Sequence, residues 1–210
     1  MSTALRWRPV SVPARVRIGP ARPADVPVVE TLQQRVVREV ATAAPAGSAV
    51  ESWIRHLVAA TRAPIADGTY FLATVGGAPA GCGGWSFRRP LDERGPDDRP
   101  LDPATEPAWI HPVFVEPRLA RRGVGAALLA AAERAAGRAG YWRVALHATR
   151  ASEPLHRRAG YRPVDSLEVV LPGGWRVPLV RMEKPLWPAG LPRSSAATPS
   201  STAGPAGSSS

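Results

Sequence analysis

Three histidines, a cluster of arginines and a pair of closely spaced glycines carry most of the chemistry this sequence can perform. In the stretch VFVEPRLARRGVGAALL, from Val113 to Leu129, an apolar run leads past Arg118, Arg121 and Arg122 into Gly123-Val124-Gly125-Ala126 and then an Ala/Leu segment. Glycines there let the backbone approach a ligand closely. The first turn of the helix they open points unpaired N–H groups, and the positive end of its dipole, at whatever binds. The guest this suits is a phosphate or pyrophosphate. His111, His147 and His156 supply imidazoles that exchange a proton near neutral pH, Cys82 a single thiol, and Glu106 and Glu116 carboxylates. The histidines have no local ligand spacing and no cysteine pair beside them, so no metal site is expected.

Two nucleotide motifs are excluded. A Walker loop ends in Gly-Lys-Ser/Thr, and the one lysine is Lys184. A dinucleotide fingerprint needs a third glycine where Leu128 stands, with an acidic residue about 20 positions on.

The elements that would position these residues follow from periodicity and breakers. Val16-Arg17-Ile18 reads as a first strand, and Asp25 as the cap of a helix with apolar positions Val28, Val29, Leu32, Val36, Val37 and Val40. A second helix is expected around residues 50 to 62, and strands at Tyr70 to Val75 and Ala80 to Phe87, joined by Gly76-Gly77-Ala78-Pro79. A long Pro-, Asp- and Arg-rich connection precedes a strand from Trp109 to Val115. Pro112 cannot donate to a ladder, so disrupted pairing is expected between Ile110 and Phe114. A helix from about Gly123 to Gly137, a strand from Tyr141 to Ala148, a short helix ended by Gly160, and a closing hairpin around Pro172-Gly173-Gly174 complete the reading. Residues 1–14 read as a loose leader, 15–187 as one domain, and the Pro/Ala/Ser/Gly-rich residues 188–210 as a disordered tail.

Val115-Glu116-Pro117 followed by Ala120-Arg121-Arg122-Gly123-Val124-Gly125 resembles the signature of the GNAT superfamily of acyl-CoA N-acyltransferases: a strand ending Val-x-Pro, then Gln/Arg-x-x-Gly-x-Gly/Ala at a helix start. Ala120 departs from the usual Gln or Arg. The segment from Ser152 to Tyr161 is similar to the superfamily's short fourth helix and its Tyr-x-x-x-Gly-Phe/Tyr turn, and Val177 to Leu186 to its last strand. The resemblance covers roughly residues 15 to 187. It implies an α/β (α+β) fold, a single GNAT-like domain with a mixed central sheet of about six or seven strands flanked by about four helices. It further implies an N-acetyltransferase that moves an acetyl group from acetyl-CoA to a primary amine of a small molecule or protein by direct attack on the thioester.

The site residues are assigned on the same basis. Arg121, Arg122, Gly123, Val124, Gly125 and Ala126 hold the pyrophosphate, and the main chain of Val113 and Val115 holds the pantetheine arm. His156 stands where the superfamily often has the tyrosine that protonates the leaving thiolate; Tyr161 matches the aromatic core position after the glycine. His111, with His147 beside it as the other choice, is expected as the base, and Glu106 would serve if the long connection folds back. If the acid has been lost at His156, the alternative is a noncatalytic CoA-binding regulatory module of the same fold. The glycines around Cys82 leave room for substrate or for a packed thiol.

Composition bounds the rest. With 210 residues, 44% of them hydrophobic, the chain can bury one core. A single cysteine suits a reducing cytoplasm, and no stretch reads as a signal peptide or membrane span. The net charge of +10 is arginine spread along the chain. No basic recognition helix or aromatic-interleaved basic strand accompanies it, so neither a nucleic-acid nor a membrane partner is expected. A monomer or homodimer acting on acetyl-CoA and an amine is.

Overall fold

A computed structural model describes residues 15–40, 47–93 and 99–186. The leader and tail read from the sequence, and residues 94–98 within the long connection, lie outside these. The elements run in chain order as β1 (Val16–Pro20), α1 (Val26–Val40), α2 (Gly47–Ala66), β2 (Tyr70–Val75), β3 (Ala78–Ser86), β4 (Ala108–Ile110), β5 (Phe114–Val115), α3 (Val124–Arg138), β6 (Arg143–Ala148), α4 (Glu153–Arg158), β7 (Arg162–Leu171) and β8 (Trp175–Pro185). They form one mixed sheet in the order β1-β2-β3-β4-β6-β8-β7, with β5 paired to β3 beside β4. Among the described residues only β4 and β6 pair in parallel.

Side chains alternate across the sheet, and that alternation sorts the helices. A Cβ on Gly81 would meet Val124 and Leu128 of α3, whereas its neighbour Cys82 joins Val29 and Leu32 of α1 and Ile54, Leu57 and Ile65 of α2 in one cluster. Hence α1 and α2 cover one face and α3 the other. On the α3 face, Leu129, Ala132 and Ala136 share a core with Val144, Leu146 and Met182. The far end of α2 reaches the β7–β8 hairpin, where the Ser52 hydroxyl donates to the Pro172 carbonyl at 2.8 Å and Trp53 packs with Val169, Leu171 and Leu179.

Several expectations change in detail. Asp25 does not cap α1; its carboxylate accepts the Arg22 N–H at 2.8 Å and closes a 3-10 turn, Pro23–Asp25, that leads into the helix. The second helix runs to Ala66 with Pro64 inside it, because burial of Pro64 and Ile65 outweighs the lost backbone bond. With the interrupted fourth strand counted once, the described sheet has the seven strands expected; its two parts, β4 and β5, make eight. The strand before the last hairpin begins at Arg162, its Pro163 tolerated because β7 lies at the sheet edge.

Candidate active site

The interruption of the fourth strand creates the site. His111 still pairs, its N–H reaching the Gly84 carbonyl at 2.9 Å. Pro112 has no N–H to offer, and pairing with β3 resumes only at Phe114 opposite Cys82. On the other side β6 pairs with β4 at Ala108↔Val144 and Trp109↔Ala145. Among the described residues β5 has only β3 as a partner. The sheet therefore splits between β5 and β6. The Glu116 N–H bonds the Ala80 carbonyl at 2.9 Å, so the peptide groups of Phe114 and Glu116 face β3. By alternation along the strand, those of Val113 and Val115 face the split. Their side chains pack with the α3 core, as Val113 and Val115 lie against the cluster of Val124 and Leu128.

The arginine-glycine turn leads from that edge into α3. After the 3-10 turn Pro117–Leu119, Arg121 takes a left-handed φ of 62° and Gly123, the residue before the helix, one of 83°. Left-handed residues of this kind curl main-chain N–H groups into an anion-binding concavity. The first N–H to close the helix is that of Ala127, on the Gly123 carbonyl. Those of Val124, Gly125 and Ala126 precede it and have no intrahelical acceptor. Arg121 and Arg122 are exposed beside this turn, and Val124 is buried. Gly125 brings α3 against the strand: a Cβ there would sit 3.4 Å from Val115 and 3.8 Å from Val113. Glu116 is buried and takes Arg35 of α1 at 3.0 Å and Arg118 at 3.5 Å, which fastens α1 to the start of the turn.

The structure brings the cofactor-binding assignments together and separates the three histidines. His111, Trp109 and His147 lie on the α1 and α2 face. Trp109 pairs with Ser86, which shares a face with Cys82, the His111 ring stands edge-on to Tyr70 at 6.1 Å, and the His147 ring stands edge-on to Trp109 at 4.8 Å. His156 belongs to the opposite face. It stands edge-on to Tyr161 at 5.7 Å, and Tyr161 lies under Lys184, whose ammonium pairs with Glu133 of α3 at 2.7 Å. No group of three or more metal-binding side chains occurs among the described residues.

Burial sets the proton chemistry. His156 is 8% exposed, its Nδ1 is buried without a hydrogen-bond partner, and desolvation lowers its pKa to about 4. At neutral pH it is a neutral N–H donor, which removes the protonated form from the sequence-based options. An unfolded histidine titrates near 6.5, so between about pH 6.5 and 4 the unfolded chain binds a proton that the folded chain refuses. Stability should fall as pH drops through that window, by up to about 1.4 kcal/mol per pH unit. Denaturant melts at pH 7 and 5 test this: His156→Phe should lose less stability between the two than the parent protein.

The Tyr161 phenol is pushed well above its usual range by burial and by the Glu133 carboxylate, which makes it core and no acid. Cys82 is buried with the Tyr70 hydroxyl 3.6 Å from its sulfur, and desolvation raises its pKa to about 12, an inert packed thiol. The glycines around it leave no substrate space: Gly81 is filled by α3 and the Phe114 carbonyl, Gly84 by the main chain of Thr69 and Tyr70.

The long connection does fold back, and it ties Glu106 into ion pairs of its own. Glu106 accepts the Asp102 N–H at 2.9 Å and pairs with Arg99 at 2.7 Å and with Arg89. These bonds pull its pKa down to about 2, too weak a base to take a proton from an amine. Glu93, which sequence reasoning did not single out, lies with its Oε1 3.0 Å from His147 Nε2. The close contact with His147 lowers its pKa, against burial, and the charges of Arg181 and Arg89 add to the effect. Nothing in the sequence distinguishes Glu93 from the other acids of that connection.

An interrupted strand that opens a sheet beside a left-handed glycine turn at a helix start defines an anion cradle with a cleft next to it. Residues 37–161 match the model of the acetyltransferase (GNAT) family, and the chain belongs to that family. Solved structures agree on the fold. A GCN5-related N-acetyltransferase of Rhodopseudomonas palustris is 22% identical, with a TM-score of 0.62 over 83% of this chain and 98% of that one. The PaiA N-acetyltransferase of Thermoplasma acidophilum, solved in complex with coenzyme A, is 14% identical, with a TM-score of 0.61 over 81% and 99%. A ribosomal-protein-alanine N-acetyltransferase of Brucella melitensis is 21% identical, with a TM-score of 0.55 over 81% and 99%. Comparison with curated proteins gave no match. No helix among the described residues is long and apolar enough to cross a membrane.

Proposed function

We propose that the protein transfers an acetyl group from acetyl-CoA to a primary amine of a small molecule or protein, as a single domain spanning residues 15–187 in the cytoplasm. The observation that carries this is the left-handed Gly123 turn opening α3 beside the split between β5 and β6. The N–H groups of Gly123, Val124, Gly125 and Ala126 bind the pyrophosphate, with Arg121 and Arg122 neutralising its charge. The peptide groups of Val113 and Val115 hold the pantetheine arm along the open edge of β5. A main-chain N–H there stabilises the oxyanion that forms on the thioester carbonyl.

The amine arrives on the α1 and α2 face, where His111 lies; the sulfur departs toward the α3 face, where His156 lies. Magnitudes rank the two proton transfers. A lysine-like amine of pKa 10.4 costs about 4–5 kcal/mol to deprotonate at pH 7, whereas a thiolate of pKa 8.5 leaves for a penalty of only about 2 kcal/mol. The neutral N–H of His156 steadies that thiolate, a modest contribution. Steady-state thiol release from acetyl-CoA with a panel of primary amines tests the reading. Turnover is expected, with kcat about 10-fold lower in His156→Phe and acetyl-CoA affinity little changed. Saturable binding of coenzyme A without acetylation of any amine would instead identify a noncatalytic binding module.

A further inference from the structure

We propose that the His147–Glu93 pair is the proton acceptor that readies the amine, an inference that rests on the transferase reading above. On β6, His147 is the first residue of the α1 and α2 face beyond the last β4–β6 pair, Trp109↔Ala145, and so stands where the sheet opens. Its side chain and that of Glu93 are 12% and 30% exposed. The edge of the ring against Trp109 fixes its plane, and the Arg181 guanidinium lies over the same indole at 5.2 Å, paired with Glu183 at 2.9 Å.

Glu93 arrives there because the connection is fastened on both sides of it. Arg88 pairs with Asp67 at 2.9 Å, and after Glu93 the Leu101, Ala104 and Thr105 carbonyls accept from Tyr141, Trp142 and Arg143 at 2.7, 3.2 and 2.7 Å. A carboxylate on one imidazole nitrogen fixes the tautomer and stabilises the imidazolium, the arrangement that makes histidine an effective base. The charged groups facing the pair are Arg89 on the same connection, Arg181 and Glu183 on β8, and Asp165 of β7, opposite Arg181 in the ladder. His111 shares this face.

The His147 imidazole takes one proton from the ammonium form of the acceptor, directly or along a bonded water. The freed lone pair forms the C–N bond to the thioester carbonyl. The C–S bond then breaks with its electron pair on the coenzyme A sulfur. The remaining surplus proton on nitrogen passes to that thiolate as the intermediate collapses, and His147 returns its proton to solvent. The sum is ammonium plus acetyl-CoA giving amide, free thiol and one proton.

The experiment is thiol release by the full chain with acetyl-CoA and a panel of primary amines between pH 5.5 and 9, beside calorimetric titration with acetyl-CoA. His147→Gln should lower kcat/KM for the amine at least ~100-fold at pH 7 with acetyl-CoA binding intact, and the deficit should shrink as pH approaches the amine's own pKa. Glu93→Gln should lower kcat/KM for the amine about 10-fold at pH 7 with acetyl-CoA binding intact, the deficit again shrinking toward the amine's own pKa; Glu93→Asp should restore part of it. Where His147→Gln fails to fold, Glu93→Gln and its rescue by aspartate decide. A parent protein that turns over amines while the variants keep its rate overturns this inference alone. A parent protein that binds acetyl-CoA and acetylates nothing overturns the transferase reading and this inference with it.

Discussion

Gly123→Val should weaken acetyl-CoA binding by at least ~10-fold, while the protein stays folded with a melting temperature lowered by only a few degrees. A Cβ at Gly123 meets nothing within 4 Å, so the substitution causes no collision, but the φ of 83° is one that side-chain-bearing residues avoid. Holding valine there costs roughly 1–2 kcal/mol, and ~2–4 °C is lost per kcal/mol in a chain of this size. The chain can relieve that strain only by rotating out of the left-handed region, which turns the amides at the start of α3 away from their common focus. Each N–H lost from a charged acceptor is worth about 1.5–3 kcal/mol, and 1.4 kcal/mol is a tenfold change in affinity. Calorimetry with coenzyme A, alongside thermal melts, separates the two effects. Affinity equal to that of the parent protein would move the pyrophosphate off this turn.

Gly81→Val is expected to do the reverse, costing the fold first and binding second. The Cβ would stand 2.8 Å from the Phe114 carbonyl oxygen, 3.0 Å from Leu128 and 3.1 Å from Val124. The two side chains can yield, but the carbonyl belongs to the β5 backbone and cannot without moving the strand. Overpacking of this kind costs about 1–3 kcal/mol. Urea and thermal melts should show the loss, and coenzyme A affinity should fall as well, because Val124 begins the helix whose first turn binds the phosphates. A variant as stable as the parent protein would mean that α3 does not rest on β3 as described.

Legibility was uneven along the chain. The turn before α3 was readable because its chemistry is local: two glycines, three arginines and an alanine-rich helix specify a main-chain cradle regardless of what surrounds it. The break at Pro112 was readable for the same reason, since a missing N–H is a property of one residue. His156 was located in the sequence, but its protonation was not, because a pKa near 4 comes from desolvation in the folded chain, where the ring is buried beside Tyr161. Glu106 and Glu93 show the limit most plainly. Both are acids in one Pro/Asp/Arg-rich connection, and the sequence favoured Glu106, which the fold commits to Arg89 and Arg99 while carrying Glu93 to His147.

The sequence by itself determined the order of elements, the helix that opens on a glycine turn, the interrupted strand and, through these, the family. Those features rest on short-range physics: periodicity, missing donors, and dihedral freedom at single residues. Only the tertiary structure decided that His156 lies across the sheet from His111 and His147, which carboxylate meets an imidazole, and that the glycines around Cys82 admit α3 and β2 and no ligand. Those outcomes depend on which surfaces exclude water together, and no local pattern encodes that.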